Sequence, residues 1–576
     1  MSPFPVSQEV IAALARIDGG ALPRDLESET LDFKSDRGDS KKTLGGLAEA
    51  AACLANSRGG TVVLGVKDRP AGPEALSGTD VDPLEARRYI FDRAEPRLTV
   101  SVEEYLHNDT RLLLIGVPVG AAVHGISGRV ERRVGRSCLP MPPDQVAALH
   151  AEREGRDPSE QTSGRSVDEL DRAALDLARR YLSRLTGERA RHAALSDLEL
   201  CQALGVVTSD GELLVAGEQL FCVPPTEFVS YQHRVSAGSP PDAVERLAAP
   251  LITVFYRTLE HITARNQIEP LLLPGGQQLQ LPRYPEDVVR EALANALVHR
   301  RLDLLDPVQV EHFDDALSIT SMGPLVSGVT VDNILTTPSR PRNRLLARAF
   351  RHLGLIEELG TGITRMYRSM LRVGKPPPRF DVSANSVRVS LAGGPAGQAF
   401  ARYVALLDES IRDDVEVLLV LRRLCTNSSA AAIDIAPLLQ RAPAETVRVL
   451  DRMVEDSPPL IEPINPTARG RRIRYRLSKA ASTGLGSAVQ HRRHTGQEIE
   501  EAVVAYVREH GRITNRVVRN MFGVGTPRAS AILRGFVESG VLLRTSDARR
   551  GPAVQYGPGP LMAVQEGLPG TVPDEA

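Results

Sequence analysis

The chain has 576 residues, 42% of them apolar, and 70 Lys and Arg against 72 Asp and Glu give a formal net charge of −2. A single hydrophobic core rarely grows beyond about 250 residues, so roughly three to five domains are expected. The near-zero charge excludes a globally basic surface, which makes any phosphate-attracting region local, and no uninterrupted apolar run of about 18 residues offers a membrane-spanning helix.

Five cysteines, Cys53, Cys138, Cys201, Cys222 and Cys425, form no Cys-x-x-Cys pair. Such scatter argues against a disulfide framework and a cysteine-rich zinc site, and fits a reducing compartment. Met-Ser-Pro-Phe-Pro-Val places no charged leader before an apolar run. The expectation is a soluble, cytoplasmic protein with no membrane contact.

Residues 8–150 read as one α/β unit. Leu44, Leu47, Ala51 and Leu54 recur at spacings of three and four, which predicts a helix that stops before Gly59-Gly60. Thr61 to Val66 is a β-branched apolar run, the pattern of a buried strand, with Asp68 emerging at its end. A second strand is expected over Arg111 to Val117. Residues 151–166 are polar and nearly free of apolar anchors, which predicts a linker. A helix-rich connector over 167–282 follows, with a strand-like stretch from Phe228 to Val235. Residues 283–395 read as a second α/β unit, and 400–480 and 496–558 as two winged helix-turn-helix modules. The fold class expected is α/β (α+β) multidomain.

Two segments carry the first chemistry: Leu26-Glu-Ser-Glu-Thr-Leu-Asp-Phe-Lys34 and Ala55-Asn-Ser-Arg-Gly-Gly-Thr-Val-Val-Leu-Gly-Val-Lys-Asp68. They resemble the Schlafen AlbA-type nucleic-acid domain, with an Asp standing where the family pattern has its second Glu. The resemblance implies a metal centre built from Glu27, Asp32 and Asp68, as in Schlafen endoribonucleases. Carboxylates gathered in one cleft repel one another, and Mg²⁺ or Mn²⁺ is the usual relief. Because Glu27 and Asp32 are five apart, a regular strand would point them to opposite faces, so Glu27 must precede the strand or sit at a bulge. Lys34 shares the strand face of Asp32, placed either to meet a phosphate or to neutralise the acids. Arg132 and Arg133, candidates for the same nucleic-acid contact as Lys34, lie in Val130-Glu-Arg-Arg-Val-Gly135, which resembles the Arg-x-Gly turn that closes the domain.

The segment Glu291-Ala-Leu-Ala-Asn-Ala-Leu-Val-His299 resembles the first box of the GHKL ATPases. Residues 291, 295 and 299 share one helical face, and Asn in mid-helix is locally unfavourable. The resemblance implies that Asn295 holds Mg²⁺ against ATP phosphates and that Glu291 polarises water; an ordinary polar helix face is the alternative. Gly360-Thr361-Gly362 resembles the later glycine box, whose amides would approach a phosphate. With Pro341-Arg-Asn343 and His352-Leu-Gly-Leu-Ile-Glu-Glu358, the segment is similar to the divergent GHKL domain often labelled RecG-helicase-like. The chain has no Gly-x-x-x-x-Gly-Lys-Ser/Thr loop, so it is not an ordinary helicase.

In the C-terminal modules Arg469-Gly-Arg-Arg-Ile-Arg-Tyr-Arg476 concentrates Arg469, Arg471, Arg472, Arg474 and Arg476 without an acid. The last module opens with helix residues Ile499, Val503 and Val507, and Ile513-Thr514 is expected to open its second helix. Its third helix offers Arg528 and Arg534, and its hairpin Arg549 and Arg550. Arginines so placed neutralise phosphates and make binding steeply salt-dependent. The leading expectation is a DNA-binding, transcriptional regulator with an ATP pocket, RNA being a second candidate partner and a homo-oligomer a candidate state. Two alternatives stand beside it: a metal-dependent endoribonuclease of stress or phage defence, and a protein-docking scaffold.

Overall fold

The structure, a computed structural model, describes residues 7–356, 361–383, 385–395, 397–464, 473–490, 496–522, 526–546 and 554–564. The chain divides into two compact units, one of Met1–Ile268, Pro282–Met370 and Pro376–Pro395, the other of Glu269–Leu281, Leu371–Lys375 and Ala396–Ala576.

The first unit opens with a four-stranded sheet in the spatial order Leu31–Lys34, Gly60–Leu64, Thr110–Val117, Ser101–His107. The first two strands pair in parallel, Asp32 opposite Val62, and the others antiparallel. Alternation along the strands feeds two cores. Val62, Leu64, Leu113 and Ile115 pack against the Ser40–Ala55 helix, whereas Leu31, Phe33, Val63, Leu112 and Leu114 pack with Val10, Leu14 and Ile17 of the Gln8–Asp18 helix. A sheet covered on both faces explains why Val62 to Leu64 is apolar without a break. The hairpin of Glu131–Val134 and Ser137–Pro140 closes over the end of this domain.

A disulfide joins Cys53 of the long helix to Cys138 of that hairpin. The expectation of unpaired cysteines is corrected here: the two are separated by 85 residues, so only the folded hairpin brings them together.

The same unit contains a six-stranded sheet in the order Ala243–Leu247, Val229–Arg234, Val308–Phe313, Ala316–Met322, Ser386–Ala392, Arg379–Val382. Its outer pair comes from the segment expected to be a connector. Val229–Arg234 runs parallel to Val308–Phe313 with Tyr231 opposite Val310, and one apolar core runs from Ala174 to Leu391. Residues 167–268 are therefore part of this layer, and only Glu269–Leu281 departs to the second unit.

Residues 151–166 are not a free linker. The Pro143–Arg153 helix runs into them, and Asp157 and Ser159 are buried beyond it. Asp157 Oδ2 accepts from Leu345 N at 2.6 Å and Ser159 Oγ from Leu346 N at 3.2 Å. The polar side chains thus satisfy the open N–H groups at the start of the Arg344–His352 helix, a use that composition cannot reveal.

In the second unit two segments repeat one element order. Helices Val415–Thr426, Ala432–Leu439 and Pro443–Glu455 accompany a sheet of Ala430–Ala431, Arg474–Leu477 and Ile461–Pro463. Helices Gly496–His510, Asn515–Phe522 and Thr526–Glu538 accompany Ile513–Thr514, Gln555–Pro558 and Leu542–Arg544. Ile513 and Thr514 form a short strand opposite Tyr556 and Gln555 rather than opening the second helix. The hairpin Ile268–Leu272 and Gln278–Pro282 lays Leu271, Leu273 and Leu281 against Ala401.

Candidate functional site

Glu27 lies ahead of the Leu31–Lys34 strand, in a turn that Glu9 pins by accepting from Ser28 Oγ at 2.6 Å and Thr30 Oγ1 at 2.9 Å. The turn can press against the neighbouring strand because Gly60 has no side chain. A Cβ there would stand 2.1 Å from Thr30 O, and its φ is +138°. Asn56 of the same motif donates to His124 O at 2.7 Å and Glu131 O at 2.9 Å, stitching the closing hairpin to the helix end.

That hairpin delivers Arg133, 5% exposed, between the acids. Its Nη1 lies 2.9 Å from Asp32 Oδ1 and its Nη2 3.6 Å from Glu27 Oε2, while Nε donates to Ser28 O at 3.1 Å and Nη2 to Leu31 O at 3.2 Å. Lys34 Nζ sits 2.6 Å from Asp32 Oδ2, so of its two anticipated roles the neutralising one is occupied. Burial, with help from Asp32, pushes the Glu27 carboxyl up to about 7 against the pull of Lys34, the Phe33 amide and Arg133.

Asp68 does not join them; it is exposed on the loop beyond the Gly60–Leu64 strand. Among the described residues no three His, Cys, Asp or Glu side chains gather to hold a metal ion. The expected Mg²⁺ or Mn²⁺ centre of Glu27, Asp32 and Asp68 is corrected accordingly. Two fixed cations, a guanidinium and an ammonium, supply the countercharge that a metal would otherwise bring.

The second site lies along the Glu286–His299 helix, which buries Val288, Leu293 and Leu297 in the core and turns another face to a cavity of about 180 Å³. Glu291, Asn295 and His299 all line it. Asn295 Nδ2 donates to Glu291 Oε1 at 3.2 Å, and Arg365 Nη2 lies 3.8 Å from Glu291 Oε2. Gly362 also lines the cavity, and a Cβ there would meet Glu291 Oε1 at 1.8 Å, so the glycine makes room for the carboxylate. Thr361 is exposed and outside the lining, and Gly360 lies outside the described residues. Burial and the nearby Arg342 push His299 down to about 4, so it is a neutral imidazole at neutral pH.

Four contributors went unrecognised in the sequence. Arg340 and Arg351 bring positive charge to the lining, and Ser321 and Gly323 form its strand-end wall. The Pro341-Arg-Asn343 stretch was legible as a motif without a role. Asn343 Nδ2 donates to Val298 O at 2.7 Å and Arg300 O at 2.9 Å, holding the helix end, while Arg342 reaches His299 O at 3.2 Å and Pro324 O at 2.8 Å. A carboxylate, a carboxamide and two guanidiniums around an apolar floor suit a flat heterocycle bearing an anionic tail. Glu291 and Asn295 are the polar side chains that the Asn box turns to this cavity, and among the described residues no cluster makes a metal site.

Of the C-terminal arginines, Arg474 Nη1 lies 3.5 Å from Asp434 Oδ2 and Arg476 Nη2 2.7 Å from Glu462 Oε1. Arg528 and Arg534 are exposed on the Thr526–Glu538 helix. Arg469, Arg471, Arg472, Arg549 and Arg550 lie outside the described residues.

Residues 27–142, spanning the acid turn, the Gly-Gly strand and the Arg133 hairpin, match the family described as Schlafen, AlbA_2. The chain carries a Schlafen AlbA_2 domain. Residues 306–391 match a second family, described as putative ATP-dependent DNA helicase recG C-terminal. That match takes in Gly323, Asn343 and Gly362 but begins after the Glu291 and Asn295 helix. Each match spans less than half of the chain. A crystal structure of the DIP2311 protein from Corynebacterium diphtheriae is similar in fold, with 24% identity and a TM-score of 0.51 over 83% of this chain and 98% of that one. No curated protein matches. The AlbA_2 and ATPase-like domains together point to a nucleic-acid-binding protein. Among the described residues no helix is long and apolar enough to cross a membrane.

Proposed function

We propose that this chain is a DNA-binding regulator of transcription that binds nucleic acid without cutting it and takes ATP or a related nucleotide in its ATPase-like pocket. The observation that carries the non-cleaving part is Arg133 between Glu27 and Asp32, where a nuclease would need a cation. A guanidinium fixed by four contacts neutralises charge but cannot activate water as a bound metal does. A cleft of about 750 Å³, which the AlbA_2 domain lines together with residues 324–332 and 382–383, offers Arg132 along its wall for phosphate contacts, while Arg58 there is paired with Glu29 at 3.1 Å.

We read the two repeated segments of the second unit as winged helix-turn-helix modules, with the third helix of each as the groove-facing element. Three helices with a small sheet in that order support this, and the exposed Arg528 and Arg534 supply the affinity. Arg474 and Arg476 are engaged with acids and contribute less.

The test is a mobility-shift titration of the full chain with duplex DNA at several salt concentrations, run with and without Mn²⁺. Salt-sensitive binding with the DNA and a parallel RNA probe left intact supports the reading. Strand scission that depends on Mn²⁺ would overturn the non-cleaving assignment, and binding to neither polymer would leave protein docking as the function.

A further inference from the structure

The AlbA_2 cleft and the ATPase-like cavity share a wall. Pro324, Leu325, Val326 and Val329 line both. The two sites belong to one compact unit, and the segment between Gly323 and Asn333 is a chain of turns with no helix or strand.

This wall is held from two directions. On the ATPase-like side Arg342 donates to Pro324 O at 2.8 Å and Gly323 N to Asn385 O at 2.7 Å. On the other side the carboxylate of Glu152, from the Pro143–Arg153 helix that follows the AlbA_2 domain, accepts the amide of Ser327. The next residue, Arg153, donates to Ala55 O at 3.1 Å, beside the Asn56 that ties down the Arg133 hairpin. Gln145, on the same helix, donates to Asn385 Oδ1 at 3.2 Å. A ligand that pushes the wall from the cavity therefore acts on the Pro143–Arg153 helix, and through it on the cleft.

We propose that residues 324–329 couple the two sites, so that a nucleotide in the ATPase-like cavity changes the affinity of the AlbA_2 cleft for nucleic acid, with Glu152 as the positioning residue. This rests on the reading of the cavity as a nucleotide site. Linkage requires the effect to be mutual: nucleic acid changes nucleotide affinity by the same factor.

The experiment titrates the full chain with trinitrophenyl-ATP, with and without saturating fluorescein-labelled duplex DNA, and repeats the DNA titration with and without the nucleotide. Expected is a change of about fivefold or more, equal in both directions. Glu152→Ala brings the factor to within about twofold while each ligand alone still binds, and Glu152→Gln, which keeps a carbonyl acceptor for Ser327, restores it. Hydrogen exchange on the unmodified chain gives an independent readout: the nucleotide changes protection at 28–30 and 132–134. Two binding events with independent affinities and no exchange change overturn the coupling alone. Absence of trinitrophenyl-ATP binding overturns the cavity assignment and the coupling with it.

Discussion

Arg133 Nη1 lies 2.9 Å from Asp32 Oδ1 across 101 residues of sequence, and both side chains are almost fully buried. Removing Arg133 leaves the buried Asp32 paired with Lys34 alone and strips Ser28 O and Leu31 O of their guanidinium donor. Arg133→Met is expected to destabilise the first unit by about 1–3 kcal/mol, read as a lower urea midpoint, whereas the double change with Asp32→Asn recovers part of that loss. Equal loss in the single and double variants would mean that Arg133 acts through packing alone.

Glu27 gives the first unit a pH dependence of definite sign. Its carboxyl titrates at about 7 in the fold against 4.5 unperturbed, so the folded state keeps a proton that the unfolded chain releases. Stability is therefore greatest below about pH 4.5 as far as this group is concerned, and falls as pH rises to about 7, with a total amplitude of about 3 kcal/mol. Glu27→Gln cannot ionise. Urea unfolding at pH 5, 6.5 and 8 should show the slope in the parent chain and its disappearance in the variant.

Gly362 and Glu291 test the cavity. Because a Cβ at 362 would lie 1.8 Å from Glu291 Oε1, Gly362→Ala must displace the carboxylate. Nucleotide binding should weaken by about tenfold, equivalent to about 1.4 kcal/mol, and combining it with Glu291→Ala should restore thermal stability but not affinity. An unchanged affinity in Gly362→Ala would separate Glu291 from the ligand.

Asn343, wholly buried, donates to two carbonyls at the end of the Glu286–His299 helix. Asn343→Ala strips both acceptors of a partner and should cost about 1–3 kcal/mol, with faster hydrogen exchange in the last turn of that helix. Asn343→Asp, which loses the donor while keeping the shape, should be no better.

Arg528 and Arg534 should account for part of the salt dependence of DNA binding. Changing both to Gln is expected to weaken binding uniformly across sequences and to reduce the slope of log K against log salt by about 2. A slope that does not move would place the phosphate contacts elsewhere.

The local elements were legible because their causes are local. The helix over 44–54 follows from its apolar stripe, the strand at Thr61 from β-branched residues buried on both faces, and Gly59-Gly60 from a close backbone approach. For its carboxylate to share a side with Asp32, Glu27 had either to precede the strand or to sit at a bulge, and it precedes it. The polar stretch around Asp157 misled for the complementary reason: composition reports solvation, and here a helix N-terminus takes the place of water.

Sequence by itself determined which segments are AlbA_2-like and ATPase-like, and that Glu27 with Asp32 and Glu291 with Asn295 would be neighbours, since each pair lies within one contiguous motif. Only the tertiary structure decided what neutralises the acids. Arg133 arrives from a hairpin about a hundred residues away and joins Lys34 of the same strand, so that a guanidinium and an ammonium take the place of a metal beside the buried carboxylates. The same holds for the wall shared by the two cavities, which exists because Glu152 and Ser327, 175 residues apart, meet only once both domains are folded.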